Sequence, residues 1–234
     1  MGKAVIFSRF IKPEWLDLTV ERWIEYQDAA RVKEVLNLYL ADQTDSPTVL
    51  RKTREILMRT WVDVEEPLQF YRDWGIAVYQ SSSRKERLAV HWLMLLVVYP
   101  IFKDLCAILG KLFVAQDTVT TSQLNRRVFD LWGERTTLLH SLNKLIRTLK
   151  EFGVLQQQKP GIYSLVTYPI QDEGLIEWML YGIIKSGDKL YHRLPELLNN
   201  KELFAFDFAT DVQHLMESQR LKLDRVGGEL VVSV

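Results

Sequence analysis

Apolar residues recur every three or four positions along most of this chain, which is the period of an amphipathic helix. Over the first third, the pattern predicts one helical region at 13–40, interrupted near Asp28, and a second helix at 47–62. A further helix is predicted at 67–79. The polar run at 81–85 then indicates a loop, and we place the first domain boundary there.

The middle third begins with a helix at 84–99 whose residues after Arg87 are almost all apolar. Pro100 is expected to break this helix, and a second apolar helix follows at 101–114. The uncharged run 88–102 has fifteen residues, whereas a membrane-spanning helix needs about 20. We therefore predict a buried core helix, in which the following side chains are inaccessible to solvent: Trp92, Leu95, Leu96 and Phe102.

After residue 117 the pattern becomes more specific. A helix that runs to about Leu131 is closed by Gly133, and a longer helix at 135–152 is closed by Gly153. Two short strands then surround Pro160-Gly161 and predict a β-hairpin. Helix, glycine turn, longer helix and hairpin follow one another in a winged helix-turn-helix. The second helix of that unit lies in the DNA major groove, and the hairpin contacts the backbone or minor groove.

The last third contains helical patterns at 172–184, 190–199 and 207–218, and a hairpin pattern around Gly227-Gly228. Together these elements predict a mainly α (α+β) protein, a helical bundle with a central winged helix-turn-helix and a C-terminal β-hairpin. We divide it into three domains. They are an N-terminal helical domain at 1–83, core helices plus winged helix at 84–168, and a C-terminal helical and hairpin subdomain at 169–234.

The chain has 30 basic and 30 acidic residues, so its formal net charge is zero. This balance argues against a general polyanion binder, although it leaves room for local basic patches. The charge is in fact uneven along the chain. Residues 120–165 contain seven basic and three acidic residues, whereas residues 166–234 contain seven basic and eleven acidic residues.

The polar face of the predicted helix at 135–152 has no acidic residue between Arg135 and Lys150. Side chains of this kind donate hydrogen bonds to phosphates and to base edges. The predicted DNA contacts on this helix are Arg135, Thr136, Thr137, His140, Ser141, Asn143, Lys144 and Arg147. On the hairpin they are Gln156, Gln157, Gln158, Lys159 and Tyr163.

A second basic surface is predicted on the helix at 47–62, at Arg51, Lys52, Arg54 and Arg59. A solvated helix face explains these residues equally well when they are taken alone. Winged helices also serve as protein–protein modules. The alternative to DNA binding is therefore a winged-helix adaptor that contacts other proteins and not DNA.

Three stretches of the chain resemble the BrxA-type accessory proteins of BREX phage-defence systems. They are a basic helix (SPTVLRKTREILMRTW, 46–61), an apolar helical pair (RLAVHWLMLLVVYPIFKDLCAILGKLF, 87–113) and a late helix that ends in glycine (TTLLHSLNKLIRTLKEFGVL, 136–155). In the family, basic residues follow the threonine, whereas here Leu138 and Leu139 follow Thr137. The resemblance implies a helical DNA-binding component of a defence operon without enzymatic activity of its own.

The motifs of common catalytic sites are missing from the sequence. There is no Glu-x-Lys nuclease signature, no P-loop, no Gly-x-Ser-x-Gly and no Gly-x-Gly-x-x-Gly. The four histidines lack metal-ligand spacing with one another or with Cys106. We therefore expect no enzymatic activity, no cofactor and no metal.

A single cysteine cannot form an internal disulfide, which favours a reducing compartment. Residues 1–10 contain too short an apolar run for a signal peptide. The expected location is thus the cytoplasm, without a membrane association. The expected partners are double-stranded DNA and other proteins of the same defence system.

Overall fold

The computed structural model describes residues 7–187 and 189–234. The apolar run within residues 1–10, which we interpret as too short for a signal peptide, therefore lies mostly outside the described residues. Helices dominate the described part, and its strands form only small sheets, which confirms the predicted mainly α (α+β) class.

Four helices form the N-terminal part: α1 (Pro13–Tyr26), α2 (Ala29–Ala41), α3 (Pro47–Trp61) and α4 (Glu66–Ser81). Between α1 and α2, Gln27 has a left-handed backbone with φ of 47°. The Asp28 carboxylate then accepts hydrogen bonds from the N–H groups of Ala30 and Arg31 and caps α2. The predicted interruption near Asp28 is confirmed.

Two apolar helices follow, α5 (Arg87–Val98) and α6 (Pro100–Ala115). Pro100 begins α6, so the predicted break is confirmed. Trp92, Leu95, Leu96 and Phe102 are all buried, as expected. Within the described residues, no single helix is long and apolar enough to cross a membrane. Only α5 and α6 taken as a pair reach that length and composition, and they are bent by 116° at their junction.

A unit of two helices and three strands comes next. Its elements are β1 (Thr118–Thr120), α7 (Thr121–Trp132), α8 (Thr136–Glu151), β2 (Leu155–Lys159) and β3 (Ile162–Leu165). The strands form an antiparallel sheet with β3 in the centre. The hairpin of β2 and β3 was predicted from its Pro-Gly turn, whereas β1, which pairs with β3 across more than forty residues, was not.

The remaining elements are β4 (Tyr168–Ile170), α9 (Glu173–Lys185), β5 (His192–Arg193), α10 (Leu194–Leu198), a 3-10 helix (Lys201–Leu203), β6 (Phe206–Phe208), α11 (Val212–Glu217), β7 (Lys222–Val226) and β8 (Glu229–Ser233). β4 and β6 are parallel, and β8 lies between β5 and β7. The C-terminal hairpin of β7 and β8 is confirmed. The helices predicted at 190–199 and 207–218 are too long, because part of each region pairs as β5 or β6 instead.

Buried apolar side chains from all three predicted domains form one continuous cluster. For example, the Trp178 ring of α9 stacks on Tyr71 of α4 with centroids 4.5 Å apart and planes within 6°. The Trp178 indole N–H also donates to the backbone oxygen of Tyr71 at 3.0 Å. A side chain at Gly182 would collide with the Tyr71 hydroxyl. The boundaries near residues 83 and 168 stay predictions.

Candidate nucleic-acid interface

The start of α7 is fixed by local hydrogen bonds and by the hairpin turn. Thr120 and Gln123 form a reciprocal capping box. The N–H of Thr121 donates to the backbone oxygen of Gly161 at 2.9 Å. Gly161 has φ of +73°, a conformation that strains residues with a side chain. The hairpin turn is therefore attached to the N-terminal end of α7.

A three-residue turn connects α7 to α8. Gly133 closes α7 with φ of +77°, as predicted. Both helices bury one apolar stripe, and the stripe of α8 consists of Leu138, Leu142, Leu145, Ile146 and Leu149. This burial fixes the rotation of α8 and therefore decides which of its polar side chains face solvent.

The exposed arc of α8 is polar and cationic. Since successive residues are rotated by about 100°, positions three and four apart share this side of the helix. The exposed members are Thr136, Thr137, His140, Asn143, Arg147 and Lys150, and Lys144 is partly exposed. These seven residues are called the α8 arc below. Of the eight contacts predicted on this helix, six belong to the α8 arc, and Arg135 precedes the arc at the N-cap position.

Ser141 is the exception, and its assignment to the outward face was wrong. Its exposed fraction is only 5%. At about 100° per residue, Ser141 falls on the same side as Leu145 and Thr148, which are both buried. Conversely, Lys150 was omitted from the predicted contacts although it is exposed and lies on the arc. Its ammonium group donates to Gln157 Oε1 of β2 at 2.6 Å.

Arg147 is held in place from two sides. Its guanidinium lies over the Phe10 ring, 3.4 Å from the centroid, and its Nε donates to Glu151 Oε1 at 3.3 Å. About half of its side chain remains exposed. The guanidinium is thus ordered in the free protein while one side stays open to a ligand.

The first turn of α8 carries no side-chain cap. Arg135 occupies the N-cap position with extended backbone and is partly exposed. Thr136 and Thr137, which follow it, are exposed. The positive end of the helix dipole and the first N–H groups favour an anion at such a terminus.

The hairpin presents a short polar edge. Gln156, Gln157, Gln158 and Lys159 of β2 are all exposed, whereas Tyr163 of β3 is only partly exposed. The register of β2 with β3 shifts between Gln157 and Lys159, so a bulge alters the course of the strand just before the turn. Lys159 pairs with Ile162 of β3, which pairs in turn with Thr120 of β1, so Lys159 lies at the end of the sheet where α7 begins.

The predicted basic surface of α3 is largely engaged by other side chains. Arg51 pairs with Glu55 at 2.6 Å, and Arg59 pairs with Glu65 at 3.0 Å. Arg54 donates to the Asn37 side chain of α2. Lys52 is partly exposed. The structure describes α3 packed against α1, α2 and α5, and the DNA contacts of Arg51, Lys52 and Arg54 stay predictions.

Other chemically active groups lie inside the protein. The Trp61 indole N–H donates to His91 Nδ1 at 3.2 Å, and His91 Nε2 lies 3.1 Å from Asp17 Oδ1. Because an indole only donates, Nδ1 must be unprotonated and the imidazole neutral. Burial also lowers the pKa of His91 and raises the pKa of the Cys106 thiol.

Within residues 7–187 and 189–234, no group of three or more His, Cys, Asp and Glu side chains is arranged to hold a metal ion. Comparison with known proteins adds no family or fold assignment, because no protein-family model, curated protein or solved structure matches the chain.

Proposed function

We propose that this chain is a non-enzymatic protein that binds double-stranded DNA through a winged helix-turn-helix formed by β1, α7, α8, β2 and β3. The observation that carries the proposal is the α8 arc. It is an exposed, hydrogen-bonding helix face with two lysines and an arginine, and no carboxylate interrupts it before Glu151. A major groove admits such a helix, and its base edges and flanking phosphates accept the hydrogen bonds that this face donates.

The arrangement around α8 supports the same function. The uncapped N-terminus of α8 favours a phosphate, and Lys159 extends positive charge to the hairpin. In this proposal Thr137 and His140 face the groove, and Lys144 and Arg147 contact phosphates at its edge. Arg135 and Lys159 contact the backbone on either side.

The test is a fluorescence-anisotropy titration of labelled duplex DNA at several salt concentrations. Each phosphate contact releases condensed counterion, so log affinity should fall linearly with log salt, by about 0.9 per contact. The variant Lys144→Ala/Arg147→Ala should bind about tenfold more weakly and lose nearly two units of that slope.

A matched control removes the same charge elsewhere. Lys222 and Arg225 are exposed on β7 of the C-terminal sheet, so Lys222→Ala/Arg225→Ala should bind DNA like the wild type. If the wild type shows no duplex binding even at low salt, the proposal fails. If the α8 variant and the control bind equally well, the proposed surface is wrong.

A protein adaptor is the second candidate, and the groove between α6 and α7 favours it. This groove encloses about 530 Å³ and is lined by Ile108, Leu112 and Leu131 among others. Leu131 is 52% exposed and adds apolar surface at the edge of this groove. If the chain is an adaptor, Leu131→Lys should abolish capture of a co-expressed partner protein. The wild type and Lys144→Ala/Arg147→Ala should then both fail to bind duplex DNA.

The setting of the proposed function comes from the resemblance to BrxA-type proteins. We place the chain in an antiviral defence system of the bacterial cytoplasm, where it acts with DNA and with other proteins of that system. The reducing compartment agrees with the single cysteine, Cys106. Purified protein tested with Mg²⁺ and plasmid DNA should leave the DNA intact. Metal-dependent cleavage that is lost on mutating one carboxylate would overturn the non-enzymatic assignment.

A further inference from the structure

The segment that precedes α1 lies across α8. The backbone N–H of Ile11 donates to Thr148 Oγ1 at 3.1 Å, a contact between residues 137 positions apart. Thr148 Oγ1 in turn donates to the backbone oxygen of Lys144 at 3.0 Å. This hydrogen-bonded chain attaches the segment to the edge of α8 that carries Lys144.

Buried apolar side chains hold the segment there. Phe7 and Ile11 are both fully buried. The Phe7 ring meets Tyr99 edge to face, with centroids 5.2 Å apart. Phe10 lies between them in sequence, packs against Trp15 and lies under the Arg147 guanidinium. The segment is therefore a fixed part of the surface beside the α8 arc.

Two residues of this segment are cationic. Arg9 and Lys12 are partly exposed, and neither forms a salt bridge with a carboxylate in the part of the chain that the structure describes. Arg9 donates to the Ser8 backbone oxygen at 2.7 Å, while its buried Nε has no acceptor among the described residues. The nearest acid in sequence, Glu14, belongs to the first turn of α1.

The segment thus contacts α8 through Phe10, which lies under Arg147, and through Ile11, which binds Thr148. Arg9 and Lys12 are the residues adjacent to these two contact points in the sequence. We infer that residues 8–12 form part of the same duplex-DNA surface, with Arg9 and Lys12 contacting phosphates and Phe10 acting as a positioning residue for Arg147. This inference rests on the proposed DNA binding by α8. The phosphate backbone of DNA suits this surface because it is a row of anions, whereas the segment and the α8 arc provide a row of cations.

The charge contribution is tested with Arg9→Ala/Lys12→Ala in the full chain. Both side chains flank the buried anchors Phe7 and Ile11, which the variant retains. Affinity for labelled duplex DNA should fall about tenfold, and the salt slope should decrease by nearly two units. The control Lys222→Ala/Arg225→Ala, which removes the same charge, should retain the wild-type slope.

The positioning role of Phe10 has its own readout. A leucine keeps apolar contact but removes the ring face that attracts a guanidinium. Phe10→Leu should therefore weaken DNA binding by about threefold, and Phe10→Tyr should restore it. When Arg147 is already Ala, Phe10→Leu should have no further effect on affinity, which a purely structural role of Phe10 would not produce.

The outcomes separate this inference from the proposed function. If Lys144→Ala/Arg147→Ala weakens binding but Arg9→Ala/Lys12→Ala matches the hairpin control, the segment lies outside the DNA surface and the inference falls alone. If the wild type does not bind duplex DNA, both fall. Should the alanine variant unfold, Arg9→Gln/Lys12→Gln, which keeps the length and polarity of the side chains, gives the same comparison.

Discussion

Helices α3 and α8 are both amphipathic and basic, yet they present their charge to solvent in different ways. On α3, Arg51 and Arg59 pair with Glu55 and Glu65, and Arg54 is hydrogen-bonded to α2. On α8, Arg147 pairs with the carboxylate of Glu151. Lys144 and Lys150 have no carboxylate within salt-bridge distance among the described residues.

The difference shows that a count of basic residues does not measure the positive potential of a surface. A carboxylate that pairs with an arginine reduces the field of that arginine, since the two opposite charges act together on a distant anion. The α8 arc has one such pair and α3 has two. For the proposed DNA binding, α8 is therefore the first candidate surface and α3 the second.

The largest expected effects lie on the buried faces, where the two helices should behave alike. Leu57 of α3 and Leu142 of α8 are fully buried. Truncation of either to alanine leaves a cavity and should lower the free energy of unfolding by about 2–5 kcal/mol. Urea unfolding measures this loss. Asn143→Ala, on the exposed arc, is the control and should stay within about 0.5 kcal/mol. Equal losses for Leu142→Ala and Asn143→Ala would mean that the rotation of α8 is wrong.

The exposed faces should differ most clearly in DNA binding. Lys144→Ala/Arg147→Ala should reduce affinity about tenfold, which corresponds to about 1.4 kcal/mol. Loss of the Phe10 and Glu151 contacts of Arg147 should cost stability no more than about 1.5 kcal/mol. Anisotropy and urea unfolding on the same preparation separate the two effects. A variant that loses stability but retains its affinity would show that these cations are structural.

The third comparison uses pH, because α3 is joined to α5 through Trp61 and His91. Burial lowers the pKa of His91 below its ordinary value of 6.5, so the unfolded chain binds a proton more readily than the folded chain. The free energy of unfolding should therefore decrease as pH falls from 6.5 through the lower folded pKa. Urea unfolding at pH 7.5, 6.5 and 5.5 measures the decrease.

His91→Gln provides the control for this pH dependence, because glutamine does not titrate in that range. The step between pH 6.5 and 5.5 should be smaller in the variant. An identical step in wild type and variant would assign the acid sensitivity to other groups.

The smallest effect is expected on the exposed face of α3. Arg51→Ala/Lys52→Ala should change DNA affinity by less than about twofold, because Glu55 already offsets Arg51. A salt titration against the α8 variant measures the difference. A loss comparable to that of Lys144→Ala/Arg147→Ala would extend the DNA surface to α3, as the sequence alone suggests, and would remove the distinction between the helices.

Features that depend on neighbouring residues could be predicted from the sequence. Helical periodicity, the Asp28 interruption, the Gly133 turn and both hairpin turns are determined within a few residues of one another, and all are present. The exposed positions of α8 follow from the same periodicity. Ser141 was misplaced because it lies at the edge of the polar stripe, where only the packing of the helix decides burial.

Contacts between distant residues were decided by the tertiary structure alone. The pairing of β1 with β3, the strands within 190–210 and the hydrogen bond of Arg54 to Asn37 leave no periodic signal in the chain. The same holds for the segment at Ile11, which meets Thr148 across 137 positions. The sequence by itself determined the helices and the basic face of α8. The tertiary structure decided which cationic side chains pair with carboxylates and which lie next to one another. The reason is that these distances depend on how the helices pack.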